Sequence, residues 1–311
     1  MTIYVSGSLA YDRIMDFPGR FADHILPDKI HVLNVCFNVN GLSEKFGGTA
    51  GNIAYNLALL GEKPLILASA GKDFSEYEAW LKENDLSLEG IRIIPEEFTA
   101  GAYITTDLAD NQITGFNPGA MRYASEFLIS DSDGGIGILS PGNIEDMLAY
   151  SREFKAKGIP YIFDPGQTTS AMSGKQILEI LMGCHIFISN DYELEMVMRM
   201  TAMTKAELLA RTKQALITTM AEKGSLVATH EKEAPIPAVP PDRIVDPTGA
   251  GDAYRSGLIK GLVTGKTIEA AARMGAVCAS YAVEYRGTQE HRFTPEDFRA
   301  RYTAFFDEKE Y

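Results

Sequence analysis

The chain has 311 residues, 45% of them hydrophobic, enough to bury a sizeable core as one large α/β domain or two smaller ones. Its formal net charge of −13, from 29 basic against 42 acidic side chains, disfavours a nucleic-acid polymer or an anionic membrane as partner, so any anionic ligand has to be captured by local groups. Cys36, Cys184 and Cys278 stand far apart, odd in number and without CxxC spacing, which argues against a disulfide framework or a zinc site and for free core thiols. The N-terminal segment meets polar residues by Ser6 and has no basic region followed by an apolar stretch; with no run near the length of a membrane span, a cytoplasmic enzyme is expected.

Short β-branched runs alternate with helical patterns, the signature of a parallel sheet covered by helices. In chain order, strands are predicted over 3–5, 64–68, 137–139, 160–163, 185–189 and 215–219. A helix over 52–60 follows a Gly-rich turn, with Ile53, Leu57 and Leu60 on one face and Gly61 as its stop. Another over 144–157 ends in Lys155, Lys157 and Gly158, with Pro160 beyond. Two period-2 stretches, 31–39 and 103–116, the second with a turn near 109–111, lack a crossover helix and read as a small second sheet or, alternatively, an edge hairpin of the main one. The segment 235–241 (PIPAVPP) reads as a short rigid connector.

The most informative segment is 246–257, DPTGAGDAYRSG. Proline and paired glycines forbid a regular element up to Gly251, and the small-residue run after it reads as a helix beginning near Asp252. Free backbone N–H groups and the positive helix end then converge on one spot, an anion site. A carboxylate there repels a phosphate but suits a base that takes the proton of a hydroxyl attacking that phosphate while the amides hold the developing charge. The alternative is that Asp252 only caps the helix. The segment 261–267 (GLVTGKT) resembles a phosphate loop but is one residue short between its glycines and follows a helix, so it reads as a helix end and the next N-cap; no GxGxxG fingerprint occurs either.

The segment 246–257 resembles the second signature of the PfkB (ribokinase-like) carbohydrate kinases, and 47–61, GGTAGNIAYNLALLG, resembles the first. Between them SNDYE at 189–193 is similar to the family's NxxE pattern. The opening SGSLAYDRIMDFPGRF, GFNPGAM at 115–121 and GTQ at 287–289 resemble the bacterial adenosine kinase branch. The resemblance implies an α/β fold with a mostly parallel sheet, helices on both faces and a small β lid. The core would comprise 1–10, 43–98 and 118–311, and the discontinuous lid 11–42 and 99–117. It implies phosphoryl transfer from ATP to the 5′-hydroxyl of a nucleoside, adenosine foremost, giving AMP. A sugar acceptor such as ribose or a ketohexose, and a non-catalytic nucleoside sensor, are the alternatives.

Carried over by motif, the resemblance makes Asp252 the catalytic base and Gly249, Ala250 and Gly251 its amide anion hole. Asp12, Asn52 and the Gly48 backbone would bond the ribose diol beside Ser8; the other readings are a turn residue for Asp12 and a helix cap for Asn52. Phe37 and Phe116 would stack the base, and Gln167 would meet its edge or a phosphate. Asn190, Thr218, Gly224 and Gly251 would contact the nucleotide, and Asn190 and Glu193 would reach Mg2+ directly or through water; otherwise those two form an N-cap box. K+ is a candidate ion near Asp246 and Thr248. Two departures stand out: Ala221 where the family often has glycine in its nucleotide segment, and Ala102 where adenosine-specific relatives can carry an aromatic. An apolar lid strand over 31–39 could bury itself in a homodimer.

Overall fold

The first strand shows how the main sheet is built. The structure, a computed structural model, describes residues 1–130 and 134–306, so 131–133 and 307–311, placed above in the core, lie outside the described residues. In β1 (Ile3–Ser6) successive side chains point to opposite faces: Ile3 and Val5 enter one apolar cluster and Tyr4 the other. Both faces are therefore buried, which is why the strands read as continuous apolar runs rather than alternating ones.

Numbered along the chain, the remaining strands are β2 (Ala10–Asp16), β3 (Asn40–Gly47), β4 (Leu65–Gly71), β5 (Ile91–Ile94), β6 (Ala100–Thr106), β7 (Gln112–Asn117), β8 (Ile136–Leu139), β9 (Tyr161–Phe163), β10 (Ile186–Asn190), β11 (Ala215–Thr219), β12 (Ser225–Thr229) and β13 (Glu233–Ile236). The main sheet runs β13-β12-β11-β10-β9-β8-β1-β4-β5, parallel from β11 to β5 and antiparallel at β12 and β13. Helices Thr49–Leu59, Ala250–Val263 and Ile268–Ala282 cover one face through Ile53, Leu57, Leu258 and Val277; Ile144–Lys157, Gly174–Leu181 and Asp191–Thr201 cover the other through Phe154, Ile177 and Val197. All six predicted core strands are present within one residue at the start and three at the end. β5, β12 and β13 are additional, and β13 includes Pro235, tolerated because β13 is an edge strand.

The second sheet runs β3-β2-β6-β7. Its hairpin β6–β7 lies where 103–116 predicts it, but the strand expected over 31–39 does not exist. A 3-10 turn, Pro27–Val32, occupies its start, 33–39 has no regular structure, and the ladder partner of β2 is Asn40–Gly47. An alternating pattern is only half of a strand; without a neighbour to satisfy its amides, the segment stays irregular with Val32 and Leu33 exposed. The argument for a dimer through that segment loses its strand. Cys36, expected in the core, is exposed on the same stretch, whereas Cys184 and Cys278 are buried.

Arg13 of β2 ties this sheet to the core, donating from Nη2 to Asp73 (3.2 Å) and from Nε to Glu44 of β3 (2.7 Å). Lys45 of β3 reaches Glu290 at 2.8 Å. Where β3 gives way to helix Thr49–Leu59, Gly48 takes φ +85°, and a Cβ there would lie 2.5 Å from the Ser8 carbonyl oxygen, so only glycine fits.

Candidate active site

The C-terminal ends of β8 to β11 and the start of helix Ala250–Val263 open onto one cavity of about 760 Å³. It extends from Asp12, Gly48 and Asn52 beside the second sheet to Asn190 and Thr219 at the ends of β10 and β11 and Gly224 just before β12. The carboxyl edge of an open parallel sheet is where such folds bind ligands, because the strands end there and the covering helices begin.

Gly249 caps helix Ala250–Val263 in a left-handed conformation, φ +80°, and a Cβ would press on the Thr288 side chain at 2.9 Å. The cap bends the chain so that the first helical amides face the cavity. Those of Gly251 and Asp252 take no acceptor among the described residues, as the first turn of a helix requires, whereas that of Ala250 donates to the Pro247 carbonyl at 3.2 Å. Of the three residues expected to form the amide hole, Ala250 thus has its N–H engaged. The helix starts two residues before the predicted Asp252, which stands in its first turn.

Asp252 is enclosed by protein but keeps part of its surface on the cavity. Burial pushes its carboxyl up to about 7; the hydrogen bond from Asn52 Nδ2 to Oδ2 (2.8 Å) and the Arg255 charge pull the other way, and Asp164 and Glu193 add to the rise. Asn52 in turn accepts from Gln289 Nε2 at 3.0 Å. Arg255, three residues after Asp252 on the same helix face, meets Asp164 through two bonds, Nε to Oδ2 at 2.5 Å and Nη2 to Oδ1 at 2.9 Å, and donates from Nη1 to the Gly251 carbonyl at 3.1 Å. Both side chains are almost completely buried.

Residues 19–295 match the pfkB family carbohydrate kinases. The chain belongs to this family. It is 33% identical over 259 residues to a nucleoside kinase of Methanocaldococcus jannaschii, covering 82% of this chain and 85% of that one. A structure of Burkholderia thailandensis nucleoside kinase in complex with inosine superposes with a TM-score of 0.85 at 34% identity, over 97% of each chain. The same enzyme in complex with ADP-inosine gives 0.82 at 36% identity, over 97% of this chain and 95% of that one.

On this carbohydrate-kinase fold, the cavity gathers Asp12, Gly48, Asn52, Gln167, Asn190, Glu193, Gly224 and the 249–252 turn, all singled out from sequence. Asp12 is also pushed up, to about 6, by burial and then by the Asp246 charge. Asn190 and Glu193 form the capping box that was the alternative reading, Glu193 N–H to Asn190 Oδ1 at 2.7 Å and Asn190 N–H to Glu193 Oε2 at 2.9 Å, yet both line the cavity. Both oxygens of Asp246 accept backbone amides, from Thr248 at 2.9 Å and Gly287 at 3.2 Å. Ala221 lines the cavity with φ +49°, a left-handed conformation that costs a non-glycine residue about 1–2 kcal/mol.

Four expected residues do not line the cavity. Phe37 packs into an aromatic cluster with Phe17 and Phe21, at 4.8 and 5.0 Å between ring centroids. Phe116, on β7, is half exposed away from the lining. Ser8 is buried, its hydroxyl accepting the Thr49 N–H at 3.0 Å, so it holds the start of helix Thr49–Leu59. Thr218 is buried off the lining, its hydroxyl without a partner among the described residues. Sequence reasoning missed the pairing of Asp164 with Arg255 and the part played by Gln289; Asp164 at a strand end and Arg255 at i+3 from Asp252 were the available signals.

Two outcomes follow from these charges. The folded chain keeps the Asp252 proton to about 7 against an ordinary value of 3.8, so its ionisation weakens the fold progressively from acid pH up to about 7, most of all above it. Asp252→Asn should therefore be more stable than the parent at pH 8 by about 1–3 kcal/mol, discounted for the solvent-facing side of the carboxylate, with the difference gone near pH 4 in paired thermal denaturations. Asp164→Asn leaves the Arg255 guanidinium buried without its partner and should cost about 3 kcal/mol or more, read as the midpoint shift in urea unfolding.

Proposed function

We propose that the protein transfers the γ-phosphate of ATP to the 5′-hydroxyl of a nucleoside, with the purine nucleosides adenosine and inosine among its acceptors. The observation that carries this reading is a single cavity in which Asp252, hydrogen-bonded by Asn52, stands at the free amides of a helix start, with room on both sides of it. Similarity to nucleoside kinases over most of the chain supports it.

In the proposed reaction the nucleoside lies toward Asp12, Gly48 and Asn52 and the triphosphate toward Asn190, Thr219 and Gly224. The 5′-oxygen attacks the γ-phosphorus in line with the departing ADP oxygen, and its proton passes to the Asp252 carboxylate. The amides of Gly251 and Asp252 and the helix dipole receive the charge on the phosphoryl oxygens. Asp12 accepts from one ribose hydroxyl, and Asn52 has one amide hydrogen beyond that given to Asp252. Glu193 and Asn190 suit a hard divalent cation: the second Glu193 oxygen accepts no hydrogen bond among the described residues, and burial among anionic neighbours raises its carboxyl, a strain that a cation relieves. Such an ion, when bound, would supply charge neutralisation for the phosphates.

A sugar acceptor is the second reading, and it gains from one observation: Phe37 and Phe116, expected to hold a base, lie off the cavity lining. A coupled ADP-release assay across nucleosides, 2′-deoxynucleosides, ribose and ketohexoses separates the two. Ribonucleosides should be turned over at least about a hundredfold more efficiently than free sugars or deoxynucleosides, because a buried diol partner left unbonded is costly; efficient turnover of ribose alone would replace the nucleoside with a sugar. Asp252→Asn should lower kcat by roughly 10²–10⁴-fold with nucleoside binding retained by calorimetry, and full turnover in that variant would remove the base from the scheme.

A further inference from the structure

Asn52 can serve Asp252 only if its amide group faces the right way, and an amide has two faces of similar shape. Turned one way, its nitrogen donates to the carboxylate; turned the other, its oxygen opposes it. The surrounding hydrogen bonds fix the choice through groups that each have a single role. Trp80 Nε1–H can only donate, and it donates to Gln289 Oε1 at 2.8 Å. Gln289 is thereby left with its nitrogen toward both Asn52 Oδ1 (3.0 Å) and the Tyr77 hydroxyl (2.7 Å). The backbone carbonyl of Gly47 can only accept, and it takes the Tyr77 proton at 2.8 Å, so that hydroxyl is free to accept from Gln289. With its oxygen engaged by Gln289, Asn52 presents its nitrogen to Asp252 Oδ2 at 2.8 Å.

Gln289 and Tyr77 are almost wholly buried and Trp80 partly so, which makes an unmatched donor or acceptor here expensive and the polarity of the chain hard to reverse. Neither Gln289 nor Trp80 lines the cavity, so neither is placed to touch a reactant.

We propose that Gln289, oriented by Trp80, is a positioning residue for the phosphoryl-transfer base: it fixes the Asn52 amide so that a donor, never an acceptor, faces the Asp252 carboxylate. This inference rests on the reading of Asp252 as base. The other charged groups around Asp252 are Arg255 on its own helix, Asp164 after β9 and Glu193 on helix Asp191–Thr201, and none of them contacts Gln289. Asp12 shares the cavity from β2.

The test is the pH dependence of kcat for Gln289→Glu and Trp80→Phe beside the parent and Asp252→Asn, with ATP and inosine saturating. In Gln289→Glu the nearly isosteric carboxylate offers Asn52 no donor, so the amide turns and loses its bond to Asp252. The acid limb should then move up by about one pH unit, a roughly tenfold loss of kcat well below the limb, with the alkaline plateau within about twofold of the parent and the KM for ATP unchanged. Trp80→Phe, which frees Gln289 to turn while keeping an aromatic ring, should move the limb the same way by a smaller amount. A uniform fall in kcat across pH in either folded variant, or an unmoved limb in both, overturns the positioning role. If Asp252→Asn is inactive while the limb stays put, the base reading stands and only the role of Gln289 falls; if Asp252→Asn keeps full turnover, the base reading itself falls.

Discussion

A carboxylate enclosed by protein yet bordering the cavity sets the terms for the rest of this structure. Enclosure raises Asp252 toward neutrality, and every neighbour that steadies it acts against that desolvation: the Asn52 amide directly, the Arg255 guanidinium by charge. Arg255 would itself be costly to bury, so Asp164 meets it with both oxygens. That pair joins helix Ala250–Val263 to the end of β9, so the charge that moderates Asp252 also fixes the first turn carrying it. Under the proposed function, stability and chemistry are coupled through one guanidinium.

The sheet topology explains why these groups meet at all. Because the strands from β11 to β5 run parallel, they all end on the same edge, and each following residue arrives there from a different part of the chain. Asp164 follows β9, Asn190 ends β10, Thr219 ends β11, and Asn52 comes from the helix after β3. The 200 residues between Asn52 and Asp252 in sequence reduce to one hydrogen bond.

Much of this was legible before the fold. Strand-length apolar runs fixed six strands of the main sheet, because doubly buried strands carry no polar interruptions, and DPTGAGD announced a helix start with a carboxylate at its mouth. What failed did so where a local pattern needs a distant partner. The period-2 stretch over 31–39 found no strand to pair with; its Phe37 ring packs on Phe17 and Phe21. Asn190 and Glu193 show the opposite case: the capping box and a place on the cavity wall are compatible, since a helix that starts at a strand end caps itself at the sheet's binding edge. Gln289 was visible only as part of a resemblance, because its significance lies in what Trp80 and Asn52 offer it.

The overall charge of −13 sharpens the question of how such a chain accepts a triphosphate. Among the described residues of the cavity wall, Asp12, Asp164, Glu193, Glu222 and Asp252 are acidic, and Arg255 is the sole cationic side chain, already matched by Asp164. Side-chain cations therefore do not neutralise the ligand. The favourable field at this site comes from oriented dipoles, the unpaired amides of the first helical turn and the helix behind them, which act only within a few ångströms. A phosphate at the helix start would meet that field at short range, and in the proposed scheme a divalent cation held by Asn190 and Glu193 would, when bound, supply the counter-charge that the cavity wall lacks.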